Sequence, residues 1–90
     1  MDDLDEVVRV FSEITDPLEM KAIFEELFTD AERRDLASRW GLMRDLKEGM
    51  SQRNIAKKRK ISLCKITRGS KILKNPESIT GRLIDDISRN

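Results

Sequence analysis

SQRNIAKKRKISLCKITRGSKILK, residues 51–74, decides the reading of this chain. It holds nine Lys or Arg side chains and not one Asp or Glu. Two helix-capping serines, Ser51 and Ser62, divide it into two short helical segments. The first buries Ile55 and Ala56, and the second buries Leu63 and Ile66. A turn of a few residues, Arg59-Lys60-Ile61, separates them. A short helix, a tight turn and a second helix with an isoleucine facing inward form the pattern of a helix-turn-helix, here about residues 51–72. The small Ala56 suits the point where two such helices cross closely.

Charge is segregated along the rest of the chain. Residues 1–32 hold eleven acids and two bases, a balance of −9. Residues 33–75 hold fourteen bases and three acids, or +11, and residues 76–90 return −1. The net +1 therefore conceals a cationic segment next to an acidic one, the footprint of a surface that meets a polyanion. Outward side chains on the second helix, Ser62, Lys65 and Thr67, are short or basic and suit base edges and phosphates.

The flanks read as helix as well, so the fold class is all-α with six helices. Leu4, Val7, Val8, Phe11 and Ile14 recur at helical spacing. Asp16-Pro17 supplies a cap followed by proline at the first helical position, opening a helix with Met20, Ile23, Phe24 and Leu27 inward. Thr29-Asp30-Ala31-Glu32 fits a capping box. The helix it opens carries Leu36, Trp40, Met43 and Leu46 on one face, with Gly49 as a left-handed stop. Asn75-Pro76 repeats the cap-plus-proline signature before Ile79, Leu83, Ile84 and Ile87. One domain, 1–90, is expected.

Hydrophobic residues make up 38 % of the chain and charged residues 39 %, so core is scarce, and dimerisation would relieve the shortage. No run approaches the ~18 apolar residues of a membrane span, and MDDLDE lacks the features of a signal peptide. A cytoplasmic location follows as the expectation. One cysteine and no histidine exclude an internal disulfide and any ordinary zinc site. An enzyme is not expected: there is no histidine, no phosphate-cradling glycine loop and no pair of acids in a likely cleft.

FTDAERRDLASRW, EGMSQRNIA and KITRGSKILK resemble the Trp repressor family in order and spacing, apart from about one residue fewer before Met50. Thr67-Arg68-Gly69 together with Ser38-Arg39 is the specific part. The resemblance implies an intertwined homodimer whose recognition helices enter successive major grooves, a docking geometry that comes with the family and not from these residues. It implies L-tryptophan as corepressor, the only ligand expected, with no metal and no other cofactor. Arg39 and Arg68 would sandwich the indole, since a guanidinium plane stacks well on an aromatic face. Arg68 would also pair with the carboxylate, helped by the Thr29 hydroxyl. Gly69 would admit the ligand to the backbone. Backbone carbonyls near Leu27 and Phe28 would take the ammonium.

Three positions depart from the family's pattern. Ile72 stands where a serine helps bind the ammonium, a loss of about 1 kcal/mol or more. Lys60 replaces the usual turn glycine, and Lys65 replaces a threonine on the DNA face. For base edges the expected residues are Arg53, Ser62, Leu63, Cys64, Lys65 and Thr67; for phosphates, Lys57, Lys58 and Lys71. The expected function is a sequence-specific, tryptophan-activated transcriptional repressor. Two alternatives stay open: a constitutive or other-ligand regulator on the same scaffold, favoured by Ile72, and a helical module that docks an acidic protein.

Overall fold

Six α-helices follow one another in the computed structural model, which describes residues 2–88, and there is no strand among the described residues. They are α1 (Asp3–Glu13), α2 (Pro17–Leu27), α3 (Asp30–Lys47), α4 (Gln52–Arg59), α5 (Leu63–Lys74) and α6 (Ile79–Ser88). The all-α class is as the sequence indicates. No helix among the described residues is long and apolar enough to cross a membrane.

Local side-chain bonds explain where the helices begin. Asp16 Oδ1 accepts from the Leu18 amide at 3.1 Å, with Pro17 in the first turn where its missing N–H costs nothing. The capping box at α3 is reciprocal: the Glu32 amide donates to Thr29 Oγ1 at 3.1 Å, and the Thr29 amide donates to Glu32 Oε1 at 2.8 Å. Ser51 accepts from the Asn54 amide at 3.1 Å, and Ser62 from the Lys65 amide at 3.4 Å. At the end of α3 the Met50 amide reaches the Asp45 carbonyl at 3.1 Å and the Gly49 amide reaches that of Leu46 at 3.0 Å. That double closure needs a left-handed residue, and Gly49 has φ +94°.

The last helix begins later than its sequence signature indicates. Asn75 and Pro76 belong to a turn in which Asn75 Oδ1 accepts from the Glu77 amide and its carbonyl accepts from Ser78, each at 3.0 Å. Ser78 is the residue that caps α6, its Oγ accepting from the Gly81 amide at 3.0 Å. A proline turn and a helix start share the same residues, and only the position of the next hydroxyl separates them.

Two units make up the chain. The N-terminal one, through Arg34, holds α1, α2 and the first turn of α3. Phe24 stacks obliquely on both Phe11 and Phe28, with ring centroids 5.7 and 5.1 Å apart. The Arg33 guanidinium closes the end of α2 by donating to the carbonyls of Phe24, Glu25 and Phe28. No residue of α1 or α2 is buried. Leu4 is 70 % exposed and Val8 60 %, so the expected stripe exists but is uncovered in the single chain.

The second unit runs from Asp35 and contains the core: Leu42 and Met43 of α3, Ile55 of α4, Ile66 of α5 and Ile84 of α6. Trp40, Leu46, Ala56 and Ile72 pack around them. Of the expected inward set on α3, Trp40, Met43 and Leu46 face the core, whereas Leu36 is exposed and Leu42 is buried in addition. On α6 only Ile84 goes inside, while Ile79, Leu83 and Ile87 remain outside. Leu63 is also exposed, at 56 %, because the first residue of α5 projects beyond the core that Ile66 enters.

Candidate ligand pocket and nucleic-acid interface

A three-residue turn, Lys60 to Ser62, joins α4 to α5. Lys60 takes the left-handed conformation there, with φ 56° and ψ 47°. Its amide returns to the Ala56 carbonyl, and the Ile61 amide reaches the same oxygen at 3.3 Å. A lysine in this conformation carries a steric penalty of ~1 kcal/mol that glycine would not.

Asp45 anchors the pair to α3. It is only 3 % exposed, yet it is charged, because Arg59 Nε donates to one carboxylate oxygen at 2.6 Å and Lys58 Nζ to the other at 3.1 Å. The Arg59 hydrogen bond holds the carboxyl below its ordinary range against the opposing pull of burial, and Lys58 adds to the lowering. The guanidinium of Arg59 lies over Gly41, where a Cβ would meet it at 2.5 Å. Sequence reading did not single out Asp45 or Arg59. The signal available was that Asp45 is one of only three acids among residues 33–75.

A cavity of about 310 Å³ opens between α3 and α5. Arg39, Leu42 and Met43 line it from α3, and Cys64, Lys65, Arg68, Gly69 and Ile72 line it from α5. Four of the five residues expected to hold a ligand, Arg39, Arg68, Gly69 and Ile72, therefore share one cavity. Gly69 is buried inside α5, and a Cβ on it would come within 2.5 Å of Leu42 Cδ1, so its lack of a side chain sets how closely α5 approaches α3. Thr29, the fifth, belongs to the N-terminal unit, where it caps α3. The Phe28 carbonyl already accepts from Arg33. Ile72 brings a hydrocarbon surface to the cavity where the resemblance leads one to look for a hydroxyl.

The expected DNA-facing residues all lie on or at the ends of α4 and α5, and all are exposed. Arg53, Lys57 and Lys71 make no ion pair among the described residues, whereas Lys58 is shared with Asp45 and Lys65 Nζ lies 3.3 Å from Asp35 Oδ1. Ser62 serves as the cap of α5, and Thr67 Oγ1 donates to the Leu63 carbonyl at 2.9 Å. Leu63, Cys64, Thr67, Arg68 and Lys71 line a shallow depression on the outer face of α5.

These features define an all-helical protein whose close-set helix pair carries a cationic face beside a small cation-lined cavity. The chain matches the Trp repressor protein family over residues 2–84 and belongs to it. A Trp operon repressor homolog of Chlamydia trachomatis serovar L2 is 41 % identical over 59 residues, covering 64 % of this chain and 63 % of that one. A Trp operon repressor homolog of serovar D is 43 % identical over 56 residues, 61 % of this chain and 60 % of the relative. The matched region thus spans somewhat under two thirds of these relatives' length. No solved structure matches the chain significantly.

Proposed function

We propose that this chain is a transcriptional repressor that reads operator DNA through α4 and α5 as a homodimer, with L-tryptophan as its corepressor. The observation that carries the reading is the joint lining of one cavity by Arg39 and Arg68 over an apolar floor of Leu42, Met43 and Ile72, directly behind the exposed face of α5. A planar apolar group fits between two guanidinium planes, and Arg68, which makes no ion pair among the described residues, is free to take a carboxylate. A ligand wedged between α3 and α5 braces α5 against its support. Specific binding then rises, while charge-driven binding, which needs only the cations, persists without it. The whole chain acts as one DNA-binding domain, and the uncovered apolar residues of α1, α2 and α6 support pairing with a second copy.

Calorimetric titration with L-tryptophan, indole, tyrosine and D-tryptophan tests the reading. One L-tryptophan is expected to bind per subunit, and Arg68→Ala is expected to abolish it. Ile72 favours a second reading, a regulator on the same scaffold that answers to another ligand or to none. A folded dimer that grips DNA yet gives no heat with any of the four compounds would select it.

A further inference from the structure

Asp35 occupies a place on α3 where one carboxylate meets two cations. Its Oδ2 lies 3.0 Å from Arg39 Nη2 on the same helix, and its Oδ1 lies 3.3 Å from Lys65 Nζ on α5. Arg39 and Lys65 both line the cavity, so the carboxylate bridges the two helices at its rim. Unlike Asp45, this acid is not part of the core: its side chain is 38 % exposed, and that of Lys65 is 53 % exposed. Arg68, Lys71 and Lys74 make no ion pair among the described residues, so Lys65 is the cation of α5 that is held back.

We infer that Asp35 is an internal rival to the nucleic-acid backbone for Lys65, and that it sets how tightly α5 holds DNA irrespective of sequence. The inference rests on the reading of α5 as the DNA-facing helix. A half-exposed ion pair is weak enough to exchange, so a phosphate can win Lys65, but it must displace a carboxylate and not merely water. Each phosphate that a cation neutralises releases counterions, which appears as a slope of ~0.9 in log affinity against log salt. A cation already neutralised within the protein returns less of that slope. Asp35 therefore trims the charge-driven part of binding that Lys65 supplies, and it lowers affinity for operator and bulk DNA alike.

The test is fluorescence anisotropy with a labelled duplex of arbitrary sequence, titrated from about 50 to about 300 mM salt. Wild type is compared with Asp35→Asn, Asp35→Ala, Lys65→Thr and the Asp35→Ala, Lys65→Thr pair. Both Asp35 variants are expected to bind about fivefold more tightly at the low-salt end and to steepen the slope by up to ~0.9 per subunit. In the Lys65→Thr background, removing Asp35 is expected to change neither. The same tightening without Lys65 would mean general charge repulsion and would overturn the rivalry, as would Asp35 variants indistinguishable from wild type. A wild-type protein that binds no duplex at low salt would overturn the DNA reading itself, which separates the two failures.

Discussion

Lys60 shows what one residue can carry against its own preference. Its backbone sits in the left-handed region because the turn between α4 and α5 needs it there, and both Lys60 and Ile61 amides close on Ala56. Lys60→Gly should stabilise the protein by about 1 kcal/mol, seen as a rise of about 4 °C or more in melting temperature by circular dichroism. An unchanged or lower melting temperature would mean the turn is shaped by something other than this conformation. Asp45 is the opposite case, a residue whose contacts hold it in its charged form. Its carboxyl ionises below the ordinary 3.8, so the contribution it makes is complete above that pH and disappears as pH falls through its folded value. Asp45→Asn should cost about 3 kcal/mol near neutrality, because Arg59 is left half-buried without its counter-ion. The gap from wild type should narrow below about pH 4. Urea unfolding at several pH values checks both statements; a gap that widens in acid would contradict them.

Among the elements, α4 and α5 divide eight cations between structure and surface. Arg59 is committed to Asp45, Lys58 is shared with it, and Lys65 is held by Asp35. Lys57 is exposed and makes no ion pair among the described residues, so its replacement tests for a phosphate contact without disturbing an internal one. Lys57→Ala should weaken binding to all duplexes alike and lower the salt slope by about 0.9 per subunit. A loss confined to one sequence would instead mean that Lys57 touches a base edge. Helix starts are legible in the sequence at Asp16, Thr29, Ser51 and Ser62, where a hydroxyl or carboxylate closes on an amide two or three residues away. These bonds depend on neighbours in the chain. Ser78 was overlooked because Asn75-Pro76 offers an equally good local signal. The pairing of Asp45 with Lys58 and Arg59 spans 13 and 14 residues and depends on how α3 meets α4, which no local pattern encodes. The cavity residues Arg39, Arg68, Gly69 and Ile72 were found through family resemblance; spacing alone does not bring α3 to α5.

At the scale of the whole molecule, hydrophobic periodicity tells which side of a helix is apolar but not what covers it. Leu4, Val7, Val8 and Val10 on α1 and Leu83 and Ile87 on α6 are exposed in a chain whose second unit already has its core. If a second copy covers α1, Val8→Glu should shift sedimentation toward the monomer at micromolar concentration, since a charge in an apolar interface has no partner. Wild-type protein that sediments as a monomer at every concentration would remove the dimer from the proposal. The same split between a covered core and open stripes bears on how the chain can change over time. Arg59 fills the space above Gly41, and it also neutralises Asp45. A side chain at 41 must push the end of Arg59 aside, and displacing Arg59 loosens its bond to Asp45 and leaves Lys58 as the carboxylate's remaining partner. Positions 41, 45, 58 and 59 are thus coupled, and an ancestor and descendant that differ at 41 are expected to differ at 59 as well. A lineage leaving this arrangement is expected to change the coupled positions in close succession.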